Sequence, residues 1–176
     1  MAIDETRVFK PINIAVLTVS DTRTPETDTS GDILAARLTG AGHHLAARMI
    51  VKDDAALLAA RFDAWIDDPA IDAVVSTGGT GLTGRDVTPE ALSLIAGARD
   101  IPGFGELFRW LSFKSIGTST VQSRACAVVA RGTYIFALPG SNGAVKDGWD
   151  GILAEQLDSR NRPCNFVELM PRLREV

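Results

Sequence analysis

A three-layer α/β fold, a mostly parallel sheet with helices on both faces, is predicted by three features of the sequence. Apolar runs rich in β-branched residues alternate with helical periodicities over the first half of the chain, as in successive βαβ units. The first run, residues 12–19, is apolar at most positions, as expected of a strand buried on both faces. Four polar clusters, Ser20-Asp21, Asp53-Asp54, residues 77–86 and residues 139–141, each follow a predicted strand. They are therefore expected together along the carboxyl edge of the sheet, where open α/β sheets bind ligands.

Each element has its own justification. The strand at 12–19 leads through a polar loop to a helix capped by Thr29 or Ser30, with Ile33, Leu34 and Leu38 on its apolar side and Gly40 and Gly42 ending it. A second strand spans 45–51. Leu58, Phe62 and Trp65 recur at i, i+4 and i+7, which predicts a helix closing at Asp68-Pro69. Strand three covers 71–76. Thr88 then reads as an N-cap and Pro89 as the first helical residue, where proline leaves no N–H unpaired. Residues 102–111 open as a turn and become an amphipathic helix through Phe108 and Leu111, with Trp110 off the apolar stripe. Residues 125–130 and 133–138 read as strands, the direction of the first left open. A last amphipathic helix passes through Val145, Trp149, Ile152 and Leu153 to Leu157. This divides the chain into an N-terminal extension (1–10), one α/β domain (11–158) and an extended tail (159–176).

The bulk properties narrow the class. The 176 residues suit a single well-cored domain. Hydrophobic residues at 45% and charged residues at 23% match a soluble globular protein rather than a disordered or membrane-embedded one. A net charge of -4, without a basic run or aromatics interleaved with Lys and Arg, argues against nucleic acid as a partner. The apolar runs fall far short of the roughly 20 residues of a membrane span, and the acidic start is no signal peptide. Cys126 and Cys164 are far apart and lack metal-ligand spacing, which points to reduced thiols and a cytoplasmic location. His43 and His44 are adjacent, so on a strand they face opposite ways and read as structural.

The segment with the most chemical content is the loop after strand three. Gly78, Gly79, Gly81 and Gly84 bring the backbone close to a ligand and free its N–H groups to hold an anion, with Thr77 and Thr80 interleaved. Residues 79–84 also satisfy G-x-G-x-x-G, but three residues intervene before Thr88-Pro89 and no acid follows at the ribose-binding position, so a dinucleotide site is disfavoured. The absence of Gly-Lys-Ser/Thr excludes a Walker loop. Asp86 beside an anion site would repel the ligand unless a cation sits between them, which suggests Mg2+. Asp53, after strand two, is a second candidate ligand. Each acid has an ordinary alternative: Asp53 as N-cap of a helix beginning at Asp54 or Ala55, Asp86 as a loop acid paired with Arg85, and Asp21 as a turn former. No catalytic nucleophile stands out.

Several segments together resemble the MoaB/MogA family of molybdenum cofactor biosynthesis proteins, whose domain also occurs in gephyrin. They are Leu17-Thr18-Val19-Ser20-Asp21, Asp28-Thr29-Ser30-Gly31, Thr77-Gly78-Gly79-Thr80-Gly81, Arg85-Asp86-Val87-Thr88-Pro89-Glu90, Pro102-Gly103-Phe104-Gly105-Glu106 and Leu138-Pro139-Gly140. The stretch 112–120, Ser141-Asn142-Gly143 after Pro139-Gly140, and the tail around Arg162-Pro163-Cys164 look like the MoaB branch. The resemblance implies a domain that binds molybdopterin and, in active members, adenylylates it with Mg-ATP, releasing pyrophosphate. A non-catalytic molybdopterin-binding or pathway-interaction protein is the alternative. The resemblance also implies that Asp53 and Asp86 are the catalytic and Mg2+-binding carboxylates. It further implies that Ser20, Asp21, Thr77, Gly78, Gly79, Thr80, Gly81, Pro139, Gly140 and Ser141 line the substrate and nucleotide edge. A homo-oligomer, trimer or hexamer, is expected, with Trp110 in an interface and other proteins of the pathway as possible partners.

Overall fold

The structure, a computed structural model, describes residues 3–175; the outermost residues of the predicted extension and tail lie outside the described residues. Among the described residues, six strands form one sheet in the order β2-β1-β3-β6-β5-β4. They are β1 (Asn13–Val19), β2 (His44–Val51), β3 (Ala73–Thr77), β4 (Arg99–Asp100), β5 (Cys126–Ala130) and β6 (Thr133–Leu138). The first four in spatial order, β2, β1, β3 and β6, pair in parallel. β5 is antiparallel to β6, and β4 to β5. The direction of β5 follows from the two residues joining it to β6. Arg131 and Gly132 both have positive φ, 49° and 99°, the geometry that turns a tight hairpin back on itself.

The two-period of β1 builds both cores. Ile14 and Val16 face one side, where Leu34 and Leu38 of α1 (Thr29–Gly40), Phe104 and Phe108 of α4 (Pro102–Ile116) and Val145 of α5 (Asn142–Gly148) cover them. Ala15, Leu17 and Val19 face the other, against Leu58, Phe62 and Trp65 of α2 (Ala55–Ile66) and Leu92 of α3 (Thr88–Ser93). This is the three-layer arrangement predicted from the sequence. α5 continues through a π-helical turn (Trp149–Leu153) into α6 (Ala154–Gln156). The helix predicted to run from Val145 to Leu157 is therefore one rod with a wider turn in its middle. No helix among the described residues is long and apolar enough to cross a membrane.

Local expectations needed correction at several points. Neither Thr29 nor Ser30 caps α1: Asp28 does, its Oδ1 accepting from the Gly31 amide at 3.0 Å. Thr88 does not cap α3, because its hydroxyl reaches back to donate to the Gly78 carbonyl at 2.9 Å. Residues 102–111 are helical from Pro102 onward, without an opening turn. The end of the chain is not extended throughout. Phe166–Leu169 form α7, followed by a short 3-10 turn, and the Phe166 ring packs 4.8 Å from Tyr134 and 5.4 Å from Phe136. Buried aromatic area within the same chain holds this segment in place. His43 is buried against Phe9 and Trp149, and its Nδ1 accepts from the Ile12 amide at 3.3 Å, a structural role as predicted.

Candidate functional site at the carboxyl edge of the sheet

The loops after β1, β2, β3 and β6 do converge at the carboxyl edge. β3 ends in Thr77, whose hydroxyl donates to the Pro139 carbonyl at 3.1 Å, while the Gly78 amide donates to the Leu138 carbonyl at 2.9 Å. These bonds lock the glycine loop to the Pro139-Gly140 turn, and Gly140 sits directly against Gly78. Gly78 has φ +103°, and a Cβ there would collide with the Val19 carbonyl oxygen, so both conformation and space demand glycine. A Cβ on Gly81 would stand 2.7 Å from the Asp86 carboxylate.

These loops form one wall of a cleft of about 420 Å³. Of the predicted binding residues, Gly78, Gly79, Thr80, Gly81, Pro139, Gly140 and Ser141 line it, as does Asp86. The opposite wall was not read from the sequence. It comes from α4 through Phe108, Ser112 and Ile116, and from the 3-10 segment Gly117–Gln122 through Thr120 and Gln122. The only trace in the sequence was the polar stretch 112–120 that carries the family resemblance. The cleft thus pairs a backbone-rich loop with a wall of mixed apolar and hydroxyl-bearing side chains, suited to a ligand with both an anionic and a flat or apolar part. The Thr80 hydroxyl in this cleft is buried and has no hydrogen-bond partner among the described residues. A buried polar group without a partner is costly, so a ligand atom at that point would be stabilised by it.

The acids occupy the rim. Asp21 is gripped by Arg85, whose Nε donates to its Oδ2 at 2.9 Å and whose second nitrogen also bonds it. Arg85 therefore pairs with Asp21, and the alternative of Asp86 as a loop acid paired with its neighbour Arg85 does not hold. Asp86 instead accepts at Oδ2 from the Thr83 amide at 2.9 Å and the Thr83 hydroxyl at 2.7 Å. Burial acts to raise its pKa, but the bonds from Thr83 and the Gly81 amide and the charge of Arg124 outweigh it, leaving Asp86 below the ordinary carboxylate value.

Asp53 is different. The N-cap of α2 is Asp54, accepting from the Ala56 and Leu57 amides at 2.9 and 3.0 Å, so Asp53 is not used as a cap. Its Oδ1 lies 3.3 Å from where a Cβ on Gly79 would be, against the back of the glycine loop. Among the described residues, no Lys or Arg forms an ion pair with it. Burial raises its pKa, the nearby Asp21 and Asp86 carboxylates raise it further, and Arg85 offsets them only in part. Of the predicted site residues, Ser20, Asp21, Asp53 and Thr77 do not line the cleft. Ser20 Oγ accepts from the Thr22 and Arg23 amides and shapes the turn after β1.

The sequence model for the family described as the probable molybdopterin binding domain matches residues 15–159. The chain belongs to that family. It is 52% identical over 158 residues to molybdenum cofactor biosynthesis protein B of Escherichia coli K12, covering 90% of this chain and 92% of that protein. It is 43% identical over 160 residues to the protein of the same description from Bacillus subtilis strain 168, covering 89% and 94%. A crystal structure of molybdenum cofactor biosynthesis protein B superposes with a TM-score of 0.85 at 36% identity, covering 97% of this chain and 100% of that one. The family resemblance drawn from the glycine loop and its companion segments therefore holds, in the MoaB branch, and the process is molybdenum cofactor biosynthesis.

Proposed function

We propose that the cleft binds molybdopterin together with Mg-ATP and transfers the adenylyl group to the molybdopterin phosphate. A phosphate oxygen of molybdopterin forms a bond to the α-phosphorus of ATP, the bond from that phosphorus to the β-phosphate bridging oxygen breaks, and pyrophosphate leaves. Such chemistry needs positioning and charge neutralisation rather than a protein nucleophile. The observation that carries the reading is Asp53: a half-buried carboxylate without a cationic partner, beside two other carboxylates, at the back of an anion-binding loop.

The divalent cation of this reading would not rest on protein side chains alone. Among the described residues, no group of three or more His, Cys, Asp or Glu side chains could by itself hold a metal. The ion would then complete its shell with phosphate oxygens and water, which is how Mg2+ is commonly held. Asp53 and Asp86 would hold it, and when bound it would neutralise charge on the phosphates. The chain's own contribution is to orient the phosphates on the 78–81 backbone, seat the remainder against Phe108 and Ile116, and keep Asp86 ionised.

Calorimetry with ATP, with and without Mg2+, tests the binding step. Metal-dependent affinity is expected in the wild type and lost in Asp53→Ala and Asp86→Ala; unchanged affinity in both variants would refute the assignment. Pyrophosphate release that requires molybdopterin establishes the enzyme. Tight molybdopterin binding without turnover would leave a carrier or interaction protein of the pathway instead. The same reading includes a homo-oligomer, trimer or hexamer, supported by the exposed apolar face of α4. There Leu107, Phe113 and Ile116 are exposed, and Trp110 is 60% exposed with the Lys114 ammonium 4.0 Å over its ring. Light scattering should give a mass several times 18.8 kDa that falls in Trp110→Glu; a wild-type mass near that of one chain would exclude the oligomer.

A further inference from the structure

Arg124 lies outside the predicted site and does not line the cleft, yet it ties down three carbonyls of the loop that does. Its Nε donates to the Gly81 carbonyl at 2.7 Å, and one terminal nitrogen donates to the Asp86 carbonyl at 2.6 Å. The other terminal nitrogen pairs with Glu90 on α3, and its backbone amide donates to the Thr80 carbonyl at 2.9 Å. Three loop carbonyls, at 80, 81 and 86, thus end on one residue. Residue 124 is itself fixed from the other side: Arg109 of α4 donates to the carbonyls of Ser123 and Ala125, at 3.4 and 3.1 Å.

An anion site made of backbone must present N–H groups and withdraw carbonyl oxygens, whose partial negative charge repels the ligand. The planar five-donor fork of a guanidinium can draw several carbonyls to one side, whereas a lysine ammonium supplies the same charge without that geometry. We propose that Arg124, oriented by Glu90, is the positioning residue of the anion site, holding the 80–86 loop in the conformation that receives phosphate oxygens. The proposal rests on reading the cleft as a phosphate-ester site, but the clamp itself is a property of the ligand-free chain.

The test compares the full-length wild type with Arg124→Lys, Arg124→Gln and Glu90→Gln. Amide hydrogen exchange of residues 79–86 is followed without ligand, and Mg-ATP affinity by calorimetry. Both Arg124 variants are expected to exchange these amides about tenfold faster while β1 and β3 keep their protection, because only the loop loses its anchors. Mg-ATP affinity is expected to fall about tenfold or more through misplacement of the loop, with lysine giving no rescue. Wild-type exchange and affinity in Arg124→Lys would overturn the proposal in favour of a purely electrostatic role. If the Arg124 variants fail to fold, Glu90→Gln carries the test, with faster exchange confined to the loop expected and unchanged exchange overturning it. A wild type that does not bind Mg-ATP refutes the proposed function alone, and the exchange comparison still decides the clamp.

Discussion

The loop after β1 and the loop after β2 use the same residue type to opposite ends. Asp28 in the first is completely buried and fully bonded. It accepts from the Thr18 hydroxyl at 2.8 Å, the Gly31 amide at 3.0 Å and Arg48 at 2.8 Å, tying β1, α1 and β2 together. Asp53 in the second has lost water without gaining a cation. Burial acts to raise the pKa of both, yet Arg48 and the donors around Asp28 bring its carboxyl below the ordinary value while Asp53 stays above it. A satisfied acid stabilises the fold. An unsatisfied one at a ligand edge is most economically explained by something that binds there.

The largest effect should come from breaking the satisfied acid. Asp28→Ala removes an N-cap and leaves Arg48 and the Thr18 hydroxyl without their buried partner, and is expected to cost about 3 kcal/mol in urea unfolding. A loss below about 1 kcal/mol would mean that water or Asp32, which also bonds Arg48, takes over. Next in size is Asp53→Asn, which should lower pyrophosphate release by about 100-fold, near 2.7 kcal/mol of transition-state stabilisation. Its melting temperature should stay level or rise, since a charge repelled by two neighbours is gone. A clear drop in melting temperature would move Asp53 into the structural class.

The smallest effects are in the pH dependence, and they have opposite signs. For Asp28, whose folded pKa is depressed, the stabilisation is fully present above the ordinary carboxylate value, about 3.8, and is lost as pH falls through the depressed folded value. For Asp53, whose folded pKa is raised, the folded state holds its proton longer, so stability declines as pH rises from about 3.8 through the raised value. Urea titrations of Asp28→Ala and Asp53→Asn against the wild type should each remove one of these slopes. Mg2+ affinity should also weaken as pH falls into the Asp53 window, where proton and metal compete for one carboxylate. If both variants change the pH profile in the same direction, the contrast between the two acids is wrong.

Much of this was legible in the sequence because it is written locally. The apolar, β-branched runs placed β1 and β6, and the 3.6-residue period placed α2, to within a few residues, and the glycine spacing at 78–84 marked a loop able to approach a ligand closely. Partner choice was not legible. Arg85 is adjacent to Asp86 yet reaches Asp21, sixty-four residues away, because parallel strands set the β1 and β3 loops side by side while the 83–86 turn directs Asp86 back onto Thr83. Nor did the sequence single out Arg124, whose partners at 81, 86 and 90 lie across the sheet edge.

The sequence by itself determined most of the strands and helices, that they build a three-layer α/β fold, and that the loop after β3 has a glycine-rich backbone able to approach a ligand closely. Those properties depend on side-chain periodicity and on the conformational range of glycine, which act over a few residues. The tertiary structure alone decided which acids are neutralised and which are left open, that the tail packs Phe166 onto Tyr134 and Phe136, and that α4 supplies the second wall of the cleft. Burial and charge pairing are set by groups distant along the chain, so a carboxylate's role is fixed only when the sheet brings its neighbours into place.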